Sequence, residues 1–341
     1  MTNEELPLVT VLTLVYNTGK HAIRGLDSVL AQTYPHEKIQ HIIIDDCSTD
    51  DSVALIEYWI SQHPEHRCEF IQHKKNLGIC PSLNEFLSLA KGKYYSGMSD
   101  DLWKPERLRI CIEEFEKLPE DYALLYTPID ICDENDRIID TNVLARHKGN
   151  FPDDFVELLT RGVQIPATSS IHRLSALLEV GGYDERLSFE DVDMLLRLCG
   201  KYKFHLLNNS LSIYRKNLQN PNSHSDKARR TLSFVLDMPK MNANAFGQNS
   251  DHDDLLVSAY LDELEIWYLL SYGKSFSLSR ARKYHTLLTP FMLRMFRDKR
   301  QFMKYYGRLL SLLFFKKYSP YSARDIFFFA RKYFDKDFSF I

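Results

Sequence analysis

Four short apolar runs, each giving way to polar or acidic residues and then to a helix-like segment, constrain the fold of this chain more than any other feature. Val9–Val15 is β-rich and is followed by Gly19. The spacing of Ile23, Leu26, Val29 and Leu30 then predicts one helix face over residues 20–32. His41–Asp45 is a short apolar strand ending in acid. Ser48-Thr49-Asp50-Asp51 next offers N-cap chemistry to a helix that carries Val53, Ile56 and Ile60. Cys68–Gln72 reads as a third strand, Ser82–Lys91 as a helix and Lys93–Met98 as a fourth strand. Pro105 sits near the start of a further helix, where its missing N–H costs nothing. Strands apolar on both faces, alternating with helices, imply an α/β fold: a mainly parallel sheet with helices on each side.

Ligands of such sheets bind outside the carboxyl ends of the strands. Three places there carry chemistry: Tyr16-Asn17 after the first strand, Asp45-Asp46 after the second, and Ser99-Asp100-Asp101 after the fourth. A single strand-end aspartate is more often a helix cap than a ligand. Three such sites on one sheet edge point further, because crowded carboxylates are costly until a cation neutralises them. A divalent metal with a phosphate-bearing, nucleotide-shaped ligand is the natural occupant.

The length of 341 residues accommodates two compact units, expected at 1–220 and 221–341. Cys47, Cys68, Cys80, Cys111, Cys132 and Cys199 are scattered without a Cys-x-x-Cys pair, which fits reduced thiols rather than a disulfide framework or a zinc site. Neither a signal peptide nor an apolar run of membrane-spanning length is apparent, so a cytoplasmic location is expected. The net charge of −3 hides a division. Residues 281–341 carry 14 basic against 4 acidic residues and 17 of the 43 aromatics, leaving residues 1–280 at −13. There Arg294, Arg297, Lys299, Arg300, Lys304 and Arg308 interleave with Phe291, Phe296, Phe302, Tyr305 and Tyr306. This pattern suits docking on an anionic membrane, at the inner face of the plasma membrane. The alternative is a helical region that packs on the catalytic domain or on a second subunit in an oligomer. Nothing else resembles a nucleic-acid-binding module.

The ordered motifs over residues 7–216 resemble the family 2 glycosyltransferases of the GT-A, Rossmann-like fold. Val9-Thr10-Val11-Leu12 through Tyr16-Asn17 and Ser28–Pro35 resemble that family's first strand and helix. Ile42–Ser52 is similar to its acid turn, and Asn76-Leu77-Gly78 with Asn84 and Ala90–Tyr94 to the stretch before its metal motif. Ser99–Trp103 with Pro105–Leu108 resembles the metal motif itself, and Gly181–Glu185 with Phe189–Asp193 completes the series.

The resemblance implies an inverting transfer of a sugar from a nucleotide diphosphate sugar, UDP class, to a glycan hydroxyl. A lipid-linked acceptor in cell-surface polysaccharide synthesis is the context expected. Tyr16 would stack on the base, Asp45 would accept its ring N–H, and Asn17, Asp46 and Asn84 would help bind the donor. Asp100 and Asp101 would hold the ribose and a Mn²⁺ or Mg²⁺ ion on the diphosphate. Asp191 would be the base, with Glu190, Trp103 and Arg173 on the acceptor side and His224 in a loop folding over the donor. Three departures stand out. Met98 replaces the usual first acid of the metal motif, and Leu83 replaces an arginine that faces the phosphates, with Lys75 a weak substitute. Cys47 replaces the glycine of the acid turn, from which no positive φ is expected there. A sugar-1-phosphate nucleotidyltransferase would need a Gly-rich, basic first loop, which Leu14–Asn17 lacks. A non-catalytic nucleotide-sugar-binding module would tolerate loss of the base.

Overall fold

The computed structural model describes residues 1–143 and 165–216, with isolated positions at 237, 241, 244, 245, 248 and 249. The chain divides into two compact units, and every strand and helix below belongs to the first, Met1–Leu158 with Gly162–Ser223. His224, and the helical region expected over 221–341 apart from those isolated positions, lie outside the described residues.

β1 (Val9–Val15), α1 (Lys20–Leu30), β2 (Ile39–Asp45), α2 (Ser52–Gln62), β3 (Cys68–Gln72), α3 (Ile79–Leu89) and β4 (Tyr94–Met98) alternate as the apolar periodicity requires. α3 starts three residues before the expected Ser82, because Pro81 falls in the first helical turn, where no N–H has an intrahelical partner. β5 (Leu102–Trp103), α4 (Arg107–Phe115), β6 (Tyr122–Tyr126), β7 (Ile129–Cys132) and β8 (Ile138–Val143) follow. β9 (Ile171–Arg173), α5 (Leu174–Glu179), α6 (Asp191–Cys199), β10 (Lys203–Leu206) and β11 (Ser212–Arg215) complete the unit.

Seven strands form the main sheet in the order β10-β6-β9-β4-β1-β2-β3. β4, β1, β2 and β3 are mutually parallel, and only the short β9 runs antiparallel to its neighbours β4 and β6. Two successive tyrosines of β4 show how the sheet is covered. Tyr94 packs on Phe115 of α4 at 4.6 Å between ring centroids, and Tyr95 on Phe86 of α3 at 4.7 Å. Side chains alternate across a strand, so α3 and α4 lie on opposite faces. A second sheet, in the order β5-β11-β7-β8, stands beside the acidic turn that leaves β4. No helix among the described residues is long and apolar enough to cross a membrane.

Candidate active site

The carboxyl ends of β1 and β2 are locked together by their turns. Asn17 takes a left-handed φ of 54°, from which its side-chain oxygen accepts Thr49 N–H at 2.7 Å while its own N–H donates to Ser48 Oγ at 2.9 Å. Asn17 therefore ties the turn after β1 to the turn after β2. Tyr16 stays 47% exposed, an unusual state for a large ring and one that leaves a face for a ligand. Asp45, the last residue of β2, is fully buried. Its Oδ2 accepts Ser48 N–H at 2.9 Å, and its Oδ1 is buried with no hydrogen-bond partner. Cys47 has a φ of 64°, so the turn does require the left-handed conformation, contrary to the expectation from its sequence. The reversal is what turns Ser48 N–H back onto Asp45.

Asp46 faces protein rather than pocket. Its Oδ1 accepts Leu77 N–H at 2.7 Å and bonds His73 Nδ1 at 2.8 Å, its Oδ2 accepts Gly78 N–H at 2.9 Å, and its carbonyl accepts Asn76 Nδ2 at 3.1 Å. These bonds fix the turn that opens α3. His73, which no motif singles out, bonds Asp46 on one side and Glu85 Oε2 at 2.7 Å on the other. Burial lowers this imidazole's pKa, but the two carboxylates outweigh it and leave it raised.

Asn84 is likewise committed to protein. Its Oδ1 accepts Tyr183 N–H at 2.8 Å, and its Nδ2 donates to the Tyr183 carbonyl at 2.9 Å and to Glu185 Oε1 at 3.0 Å. With both amide atoms engaged, it clamps the Gly181–Glu185 turn to α3. Trp103 is 3% exposed, donates Nε1–H to the Thr168 carbonyl and lies 4.0 Å beneath the Arg107 guanidinium. Arg173 is 8% exposed, donates to the Tyr122 carbonyl and lies over Tyr94 and Phe115. Both residues are buried and engaged with protein partners. Leu83 is buried, and Lys75 is exposed.

Asp100 and Asp101 are held close to one another after β4. Gly25 of α1 makes this approach feasible: a Cβ there would meet the Ser99 carbonyl at 3.2 Å, Met98 Sδ at 3.3 Å and the Asp101 carbonyl at 3.4 Å. Met98 is buried in the core beneath the turn, so its position supplies packing where an acid was missed. Burial pushes both carboxyls up, and the charge of Asp100 helps take Asp101 to about 7. Arg215, at the end of β11, donates its backbone N–H to Asp101 Oδ1 at 2.9 Å and its Nε–H to the Asp100 carbonyl at 2.8 Å.

Asp191 is the first residue of α6, where its Oδ1 accepts Val192 N–H at 2.8 Å. Glu190 precedes it, and burial together with the charge of Asp191 raises this carboxyl to about 8. Asp193 has a different task. It forms a buried ion pair with Arg197 at 2.6 Å, and Arg197 donates onward to the carbonyls of Val180 and Gly182 at 2.7 Å each. The i, i+4 spacing of Asp193 and Arg197 is a signal by which sequence alone could have found this pair. Cys80 Sγ reaches the Leu187 carbonyl at 3.6 Å, tying the segment before Asp191 to the start of α3, beside Asp46. The base candidate is thereby linked to the same edge as the acid turns.

A mainly parallel sheet with an unpartnered buried carboxylate, a half-exposed aromatic and an acidic pair at its carboxyl edge has the organisation of a GT-A domain. Residues 10–176 match the model of Glycosyl transferase family 2, so this stretch of the chain is a family 2 glycosyltransferase domain. It is 31% identical over 206 residues to chondroitin synthase of Pasteurella multocida (strain Pm70), which is 60% of this chain and 20% of that protein. It is 34% identical over 117 residues to chondroitin synthase of Escherichia coli, covering 34% of this chain and 16% of that one. The chain spans 16% to 44% of the length of the first three curated relatives it matches. Among solved structures it resembles S. aureus TarS 1–349 in complex with UDP-GlcNAc, with a TM-score of 0.62, 16% identity and 84% and 81% coverage. It also resembles the mannosyltransferase PcManGT of Pyrobaculum calidifontis in complex with GDP-Man and Mn²⁺, with a TM-score of 0.55, 17% identity and 94% and 89% coverage. At these identities the structural likeness speaks for the fold.

Proposed function

We propose that this domain transfers a sugar, with inversion, from a UDP-class donor to a hydroxyl of a growing glycan in polysaccharide synthesis. The unpartnered Oδ1 of buried Asp45 carries this reading. A buried acceptor without a donor costs about 1–3 kcal/mol, more for a charged group, and the ring N–H of uracil would satisfy it. Exposed Tyr16 offers the neighbouring stacking face. Two adjacent carboxylates whose ionisation burial opposes are hard oxygen donors of the kind that hold Mn²⁺ or Mg²⁺ together with substrate phosphates. Among the described residues no group of three or more candidate metal ligands gathers. When bound, such an ion supplies positive charge to the departing nucleoside diphosphate.

Asp191 is the base in this reading. The acceptor oxygen bonds to the anomeric carbon, the bond from that carbon to the phosphate oxygen breaks on the opposite side, and the acceptor proton passes to the Asp191 carboxylate. Burial and the charge of neighbouring Asp191 both disfavour ionisation of Glu190. Neighbours in complex with UDP-GlcNAc and relatives that are chondroitin synthases support a UDP-sugar and a glycan acceptor. The neighbour holding GDP-Man makes GDP the comparison to run.

Calorimetry with UDP, GDP and CMP, with and without Mn²⁺, tests the donor. UDP should bind best and lose affinity on chelation, whereas equal, chelator-insensitive affinity for all three would sink the reading. Asp191→Asn should lower transfer by about 10²–10⁴-fold while UDP affinity holds. Near-normal transfer by that variant, or a product of retained configuration, would remove Asp191 from the role of base.

A further inference from the structure

Arg215 holds the acidic turn in a way that a cation site does not require on charge alone. Its side chain is 0% exposed. Besides its bonds to Asp101 Oδ1 and the Asp100 carbonyl, its Nη1 donates to the Asp133 carbonyl at 3.3 Å and pairs with the Asp136 carboxylate. Asp136 lies in the turn between β7 and β8 and also pairs with Arg24 of α1 at 3.1 Å. Guanidinium donors diverge from a rigid plane, so anchoring Nη1 on the β7–β8 turn also fixes the direction in which Nε meets Asp100. The backbone N–H of Arg215 meanwhile occupies one oxygen of Asp101, which settles the orientation of that carboxylate. Electrostatics oppose the arrangement, since a buried cation beside two carboxylates repels any divalent ion that joins them. The geometry must return more than the charge removes.

We propose that Arg215 is the positioning residue of the cation-and-diphosphate site, setting the geometry of Asp100 and Asp101 and coupling them to the β7–β8 turn through Asp136. The proposal rests on the reading of that pair as the donor's cation site. Arg215→Lys keeps the charge and loses the fork, and Arg215→Met keeps the length and loses both. Asp136→Asn loosens the far anchor while preserving its backbone, because Asn tolerates the φ of 64° found there.

Mn²⁺ affinity is read by calorimetry with UDP present, and uridine affinity is read without metal. Positioning requires Mn²⁺ affinity to fall about 10–100-fold in both Arg215 variants, and in the same direction but less in Asp136→Asn. Uridine binding should persist in all three, which a disrupted fold would not allow. Charge repulsion alone predicts the opposite, with Met binding Mn²⁺ more tightly and Lys unchanged. Either of those results overturns the proposal. If the Arg215 variants lose uridine as well, Asp136→Asn decides, and normal Mn²⁺ affinity there overturns it. A wild-type protein that binds UDP but no Mn²⁺ refutes the cation-site reading beneath it, a failure visible before any variant is made.

Discussion

Cys47 shows how a single backbone angle can be misjudged from sequence. A non-glycine residue at that point of the acid turn implied an ordinary φ, yet the turn holds Cys47 at 64° so that Ser48 can reach Asp45 and Thr49 can reach Asn17. An L-residue there costs about 1–2 kcal/mol, and glycine is free of that cost but loses more entropy on folding. The net expectation for Cys47→Gly is a gain of about 0.5–1 kcal/mol, seen as a higher urea midpoint with unchanged slope. A midpoint at or below wild type would mean that the thiol's packing offsets the backbone strain. Asp45 and Asp191 stand at the end of β2 and the start of α6, positions that a local pattern conveys. The protein contacts of Asn84, Trp103 and Arg173 are not conveyed in that way, since their partners Tyr183, Thr168 and Tyr122 lie between 51 and 99 residues away in sequence.

At the scale of elements, β1 coincides with its apolar run because a strand buried on both faces has few alternatives, and β3, the half-exposed edge strand, also falls where the sequence placed it. The second sheet was invisible for the converse reason. β5 has two residues and β8 is almost wholly exposed, so neither carries an apolar period. β2 adds a feature that periodicity cannot convey: buried His41, bonded to His66 at 2.8 Å and Thr13 at 3.0 Å. Burial, reinforced by His66, lowers His41 to about 3, below the roughly 6.5 of an unfolded chain. The native state therefore stays unprotonated at His41 while the unfolded state takes a proton, so stability is complete above about pH 6.5 and declines as pH falls towards 3. One such group gives a slope of at most about 1.4 kcal/mol per pH unit. Urea midpoints measured between pH 7 and 5 should fall more steeply for wild type than for His41→Gln. Parallel pH profiles would show that His41 binds its proton equally well in the folded and unfolded chains.

The whole molecule is divided in charge along its sequence. Residues 281–341 hold a net +10 with 17 aromatics, against −13 for the residues before them. An acidic body is repelled by an anionic surface, so any attraction to membrane must come from this segment, where a lipid-linked acceptor would be met. We propose that it docks there. Each basic residue near an anionic leaflet contributes about 1 kcal/mol, and buried aromatic side chains add an apolar share. Replacing Arg297, Lys299, Arg300 and Lys304 together with Gln should then remove about 4 kcal/mol of attraction and leave the aromatics in place. In co-sedimentation with phosphatidylcholine vesicles, the full chain should pellet only when phosphatidylglycerol is added. Salt should weaken that binding as the Debye length shortens, and the four-Gln chain should stay in the supernatant. UDP binding by the same chain reports that the catalytic unit is intact. If wild type ignores anionic vesicles even at low salt, the aromatics belong to a packed interior or a subunit contact, with the charges merely solvated around it.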